Sequence, residues 1–255
     1  MGITLGTNTN SIFAANSVSS GYRSIERVME KLSSGWKINH ASDDPSGLVI
    51  SELLRSRIAS LNQEMTNISA NIDKYNAVSS TVSELRSQLT QLREMAIGAA
   101  NGAVNSQAMQ NAYNVAAKSI VDTFNATVAD AEYNGVKMLD GSESALANVD
   151  ELTGIDLSSP QAAVKSMDII DTASAALDTV QVRLGSTVRD DFQSNLASLS
   201  VTSENLTAAE SGIRDTDYAA TFVDYIVNSI RTRAAIAMLA HSNMLSSTLL
   251  QLFRS

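Results

Sequence analysis

The chain has 255 residues, 44% of them hydrophobic but only 5% aromatic, with no cysteine and a formal net charge of −9. The missing cysteines exclude disulfides, thiolate metal sites and a cysteine nucleophile. Scattered Lys and Arg in an acidic chain argue against a nucleic-acid binder, which carries a basic stripe, and against an anionic membrane surface. Few aromatic rings and much Ala, Leu, Ile, Val and Met point to long helices rather than a compact, ring-filled core.

The opening MGITLGTNTNSIFAANSVSS has neither a basic n-region nor an apolar h-region, so it does not read as a secretory signal peptide. Gly6 also misfits an acylation pattern that wants Ser or Thr at that place. No apolar run approaches the ~18 residues of a membrane span. From Ser17 to Leu32, Val18, Tyr22, Ile25, Met29 and Leu32 step by three and four, one stripe of an amphipathic helix that Gly35 should stop. Next comes KLSSGWKINHASDDPSGLVIS, with the sole tryptophan, Trp36, and the paired Asp43 and Asp44. Either aspartate can cap a helix with Pro45 in its first turn. That helix carries Ile58, Leu61, Met65, Ile68, Ile72, Tyr75, Val78, Val82, Leu85, Leu89, Leu92 and Ala96, again in threes and fours, with one skip at Tyr75 to Val78. Its length comes to about 80 Å, too long for a compact domain of this size. So sustained a stripe asks for a coiled-coil partner, and the skip should alter the supercoil locally.

Asn101 to Ser106 reads as a turn, and Gln107 to Asp130 as a third helix through Met109, Tyr113, Ala116, Ile120 and Phe124. Asn134-Gly135 is the strongest hairpin signal in the chain, with Asp140-Gly141 a second turn and a small β excursion expected over about 131–160. A further long helix from Gln161 repeats Ile170, Leu177 and Leu184 at sevens. It continues through Val188, Phe192, Leu196, Leu199 and Leu206, and Gly212 should break or bend it. A last helix, about Asp217 to Leu250, is apolar on several sides and should be covered by other molecules. The chain goes out and comes back. The expected fold is mainly α, an elongated antiparallel coiled-coil bundle with a small β-hairpin insert. Residues 1–40 and 215–255 make a terminal-helix domain, and 41–214 a rod domain.

Chemistry finds little purchase. Adjacent Asp43 and Asp44 cannot converge on one atom as a catalytic pair does, and capping is the commoner use. His40 and His241 are too few and too far apart for a zinc site. No nucleotide loop, nucleophile elbow or zinc-protease motif is present. Nine methionines read as core filler. The sequons at Asn67, Asn125 and Asn205 fall on expected helices. Trp36 reads as an interface anchor or a packed joint residue, the former favoured by its polar flanks. The apolar residues Tyr22, Ile25, Met29, Leu32, Ile226, Ile230, Leu245 and Leu249 join it as an expected assembly interface.

LSSGWKINHASDDPSGLVISELLRSRI and EYNGVKMLDG resemble N-terminal signatures of bacterial flagellin. NLTAAESGIRDTDYA and AMLAHSNMLSSTLLQLF resemble its C-terminal ones. The resemblance spans nearly the whole chain except about 142–160, with four motifs in order. It implies a minimal flagellin without large outer domains: no enzyme, no cofactor and no metal, but a secreted subunit polymerising with itself into the extracellular filament. Implied partners are the flagellar export apparatus, an export chaperone and the filament cap. The alternatives are the hook–filament junction protein and a monomeric coiled-coil adaptor. Departures are Trp36 where the family often has Tyr or Leu, Pro45 for Ala, Gly212 for Arg, and the final FRS. The resemblance also places an innate-receptor face at Gln91, Arg93, Glu94, Gly98 and Val115. An Arg, a Gln and a Glu of receptor-stimulating flagellins are replaced there by Gln91, Gly98 and Val115, which implies weak recognition.

Overall fold

The structure is a computed structural model and describes residues 8–140 and 149–252. Its helices are α1 (Thr9–Ser34), α2 (Pro45–Ala100), α3 (Gln107–Asp130), α4 (Pro160–Ser186), α5 (Ser194–Arg214) and α6 (Tyr218–Leu252). A two-stranded antiparallel sheet of β1 (Glu132–Tyr133) and β2 (Val136–Lys137) lies between α3 and α4. The fold is thus a mainly α antiparallel bundle with one small hairpin. The chain divides into two compact units, Met1–Ser60 with Thr202–Ser255, and Leu61–Val201.

Local chemistry sets the helix ends. Asn8 caps α1, its side chain accepting from Ser11 N, so the helix starts eight residues before the expected Ser17. Gly35 ends α1 at φ +79°, a left-handed position that only glycine adopts cheaply, and its N–H donates to Lys31 O. Asp44 caps α2 by accepting from Gly47 N at 2.9 Å. Asp43 instead accepts from the backbone N–H groups of Asn39 and His40 and shapes the preceding loop. Ser106 caps α3 and Ser159 caps α4, with Pro160 in the first turn.

In the second unit the expected stripe of α2 packs as read: Tyr75, Val78, Val82, Leu85, Leu89, Leu92 and Ala96 are buried in one core cluster. Ile170, Leu177 and Leu184 of α4 meet them. The pairs Arg86–Asp178 and Arg93–Asp171 fix an antiparallel register, and Gln181 Nε2 donating to Ser79 Oγ continues it beyond Arg86. The face of α3 follows the reading at Tyr113, Ile120 and Phe124, which join the core, and differs at its start. Gln110, Ala117 and Phe124 are buried, while Met109 is exposed, one position off the expected stripe.

The β excursion is smaller than expected. Asn134 and Gly135 both have positive φ, the signature of a two-residue hairpin turn, and only two residues pair on each side. Asp140-Gly141 runs into residues outside the described ones. Beyond them, 149–159 forms no strand among the described residues. It is pinned by side chains instead. Asn125 both donates to Leu152 O and accepts from Leu152 N, Asn114 accepts from Leu157 N, and Ser166 Oγ bridges Asp156 N and O. The sequon at Asn125 is therefore occupied by a structural task.

The returning helix is not broken at Gly212, which stays helical inside α5. The interruption comes earlier, as a π-helical turn over Thr187–Gln193. A π turn holds one more residue than an α turn. Here it faces the skip in α2. Tyr75 stands between the two successive steps of three, and the Phe192 ring meets it edge-on at 5.1 Å and 86°. A widened turn on one helix offsets a shortened repeat on the other, so both keep their apolar faces together.

Candidate assembly interface

In the first unit α1 and α6 pair antiparallel. Asn8 Nδ2 donates to Ser242 O, and Ser11 Oγ to Asn243 Oδ1. Gly21 lies against Thr232, where an added Cβ would sit only 2.3 Å from the Thr232 hydroxyl. The contact needs a residue without a side chain. The buried or half-buried line of α1 is Ala14, Val18, Gly21, Ile25, Val28 and Leu32.

Below that pair the chain makes a joint. Trp36 bridges Asp215, Thr216 N donates to Gly35 O, and Lys37 N donates to Arg214 O. The guanidinium of Arg214 lies 4.2 Å over the Trp36 ring, and its Nη1 donates to Glu52 Oε1 at 2.6 Å. The Arg214 side chain is only 9% exposed. Its motif was legible in the sequence, but this role was not, since its partner lies 162 residues away. Trp36 is thus stacked on one face yet remains 41% exposed, serving the joint while offering its edge outward. His40 pairs with Glu30 at 2.7 Å.

The expected interface residues divide by face. Ile25 and Leu32 pack within the α1–α6 pair, whereas Tyr22 and Met29 are exposed beside it. Ile226, Ile230 and Leu245 are exposed on α6, Ile230 at 62%. The side chain of Leu249 lies outside the described residues. Sequence reasoning missed a second apolar patch at the start of α2, Val49, Ile50 and Leu53, the last 69% exposed. The signal was available: LVISELL is too apolar for the single stripe assigned to that helix. Exposed apolar runs of this extent mark surfaces that other molecules cover.

Of the five residues assigned to a receptor face, Gln91, Glu94 and Gly98 follow one line of α2. Arg93 leans to Asp171 of α4, and Gly98 packs at Tyr113 of α3. Val115 is exposed on α3. Among the described residues no three His, Asp or Glu side chains converge as a metal site, and no helix is long and apolar enough to cross a membrane.

Several carboxylates sit below their ordinary pKa. Asp43 is lowered from 3.8 chiefly by the His40 N–H, and Asp44 by the Gly47 N–H. Glu52 is lowered from 4.5 by the Arg214 hydrogen bond, and Asp156 from 3.8 by the Ser158 N–H. Depressed folded values mean that the unfolded chain binds protons first. The stabilisation is therefore complete above the ordinary values and is lost as pH falls through the lower folded ones. Thermal melting of the assembled protein should be flat from neutrality to about pH 5 and decline below about pH 4. The slope should be shallower in Asp43→Asn. An identical acid slope in that variant would show the loop hydrogen bonds of Asp43 to be irrelevant.

A profile of the bacterial flagellin N-terminal helical region matches residues 5–144, and one of the C-terminal helical region matches 167–253. The chain belongs to the bacterial flagellin family. Similar proteins include a flagellar filament 30.7 kDa core protein of Treponema maltophilum, 31% identical over 96% of this chain and 98% of its own. A flagellin of Halalkalibacterium halodurans is 32% identical over 90% and 92%. This flagellin is a structural filament subunit that self-polymerises outside the cell. Neither a junction protein nor a monomeric adaptor is favoured by these matches.

Proposed function

We propose that this flagellin polymerises through its terminal helices, with residues 1–40 and 215–255 as the inner domain of the filament and 41–214 as the rod around it. The carrying observation is the row of uncovered apolar side chains on α6, Phe222, Ile226, Ile230 and Leu245, on a helix whose other side is held by α1. Tyr22, Ile25, Met29, Leu32, Trp36 and Leu249 belong to the same assembly region. Burying such side chains against neighbouring copies contributes roughly 1.5–3 kcal/mol each. The family resemblance adds the export apparatus, an export chaperone and the filament cap as partners. The family resemblance gives the subunit a structural rather than a catalytic role.

Purified chain under polymerising conditions should sediment as long tubes; a stable monomer would remove the reading. In the same samples Trp36 should be less open to acrylamide in filaments than in monomers, because its free edge meets a neighbour. Equal quenching in the two states would place Trp36 outside the interface.

Weak recognition by a flagellin receptor is the further expectation for Gln91, Arg93, Glu94, Gly98 and Val115. Gln91 cannot replace the forked donor of an arginine, and Val115 accepts no hydrogen bond. Reporter cells should respond only at doses well above those of a stimulating flagellin. Restoring Arg at 91, Gln at 98 and Glu at 115 should recover the response. Strong signalling by the unmodified chain would refute this.

A further inference from the structure

The chain contains two Asn-Gly pairs, Asn101-Gly102 and Asn134-Gly135, and all four residues are exposed. In such a pair the asparagine side chain can be attacked by the next backbone nitrogen, because glycine has no side chain to shield it. The two pairs are held very differently. At the first, Gly102 N–H donates to Ala100 O at 2.9 Å, and Asn101 O accepts from Val104 N and Asn105 N at 3.4 Å each. Asn105 Nδ2 fastens the same turn to Gly98 O at 2.6 Å. Gly102 is also packed on Pro160, whose Cγ would lie 2.6 Å from an added Cβ. At the second, neither the Asn134 side chain nor the Gly135 N–H has a hydrogen-bond partner among the described residues. Gly135 faces open space where a Cβ would stand. Only Glu132–Lys137 and Tyr133–Val136 pair beside it, all four exposed. So short a ladder opens at little cost.

We propose that Asn134 is a site of spontaneous deamidation, whereas Asn101 is protected by its turn. A base in the solvent removes the proton of the Gly135 amide, and that nitrogen forms a bond to Asn134 Cγ. The Cγ–Nδ2 bond breaks, ammonia leaves, and a five-membered imide closes. Water then opens the ring. Hydrolysis at Cγ gives aspartate. Hydrolysis at the main-chain carbonyl of Asn134 gives isoaspartate, with the chain running through Cβ and Cγ. One amide and one water become one carboxylate and one ammonium, without oxidant, cofactor or enzyme. The attack needs rotation about the Cα–C bond of Asn134, which the closed turn fixes and an opened ladder releases. At Asn101 the same rotation breaks the bonds at its own carbonyl and at Gly102 N–H. Either product adds a negative charge to a chain already at −9. Isoaspartate also adds a backbone atom to a two-residue turn, so β1 and β2 lose their register. Behind them Met138 and Leu139 stay buried in the core, which confines the change to the hairpin. In a subunit outside the cell the reaction runs one way and records the age of the molecule.

The test keeps the full-length chain folded and unassembled in mildly alkaline buffer, beside the same chain in urea. Both are sampled over time by peptide mapping with mass spectrometry, and isoaspartate is scored in each peptide with an isoaspartate-specific methyltransferase. In urea the two Asn-Gly peptides should each gain one mass unit at comparable rates, since only local sequence acts there. In the folded chain the Asn134 peptide should convert about tenfold faster than the Asn101 peptide, the ratio set by the extra hydrogen bonds that Asn101 must break. Asn134→Gly keeps a residue that adopts positive φ freely and should abolish the isoaspartate of the hairpin peptide. Equal rates at the two sites in the folded chain, or a faster Asn101, would overturn the proposal, because opening of the hairpin would then not be what exposes Asn134. An Asn134 peptide still intact in the folded chain after the urea sample has converted would overturn it too. So would hairpin isoaspartate that persists in Asn134→Gly.

Discussion

Removing Asp217 to Ser255 should leave a folded, soluble rod that forms no filaments. The core cluster of the second unit, from Tyr75 to Phe192, contains no residue of α1 or α6, so nothing in it depends on the deleted helix. The deletion takes away the helix that α1 packs along in the first unit and the row Phe222, Ile226, Ile230 and Leu245. An isolated amphipathic helix gains too little from its own hydrogen bonds to stay folded in water, so α1 should melt. Hydrogen exchange should show protected amides in 75–100 and 160–186 and fast exchange through 9–34. In the intact monomer both terminal helices should also exchange faster than the rod, since ordering them costs about 1–2 kcal/mol per residue and burial against neighbours offsets it. Ordinary filaments from the truncated chain would show that assembly does not run through α6.

The same substitution at two places on α2 should have opposite readouts. Leu92 is fully buried in the core cluster, and Leu92→Ala should cost about 2–5 kcal/mol and lower the melting midpoint of the monomer by roughly 5–15 °C. Leu53 is 69% exposed, so Leu53→Ala should leave monomer melting within about 0.5 kcal/mol. If Leu53 is covered in the filament, the critical concentration for assembly should instead rise about tenfold to a hundredfold. Monomer destabilisation by Leu53→Ala, or normal assembly by it, would remove α2's first turns from the interface.

Leu92 and Leu53 also illustrate what the sequence alone conveys. The stripe containing Leu92 repeats in threes and fours over six turns, and such a period has one physical solution, a helix face against another helix. The bounds of α3 and the stop at Gly35 were legible for similar reasons, because turn residues and caps act within a few positions. Leu53 interrupts no pattern and signals only an excess of apolar residues. Its meaning depends on what stands opposite, which one chain does not state. The π turn was half visible: the skip from Ile72 through Tyr75 to Val78 announced a defect in the repeat, but not that residues 187–193 would match it. Gly212, the residue with weak helix propensity, drew attention away and proved harmless in an exposed helical position. The face of α3 was legible at Tyr113, Ile120 and Phe124 but misread in its first turn, where Gln110 is buried and Met109 exposed, an inversion that hydropathy alone cannot supply. The joint of Arg214 with Glu52 and Trp36 could not be read at all, since it joins residues from opposite ends of the chain.

The contact of Gly21 with Thr232 has a consequence in time as well as in space. Those residues stand at opposite ends of the chain, and the Asn8–Ser242 bond above them closes a separation of 234 positions. Loops of such length cost about 5 kcal/mol in closure entropy before any contact repays it, and contacts so distant in sequence form late. During synthesis α1 is made first and has nothing to pair with until α6 is complete. Throughout that interval the leading segment stays unpaired and threadable. The same glycine that permits close packing at the end of folding leaves no early substitute for it, so the two ends of the molecule finish together, after everything between them.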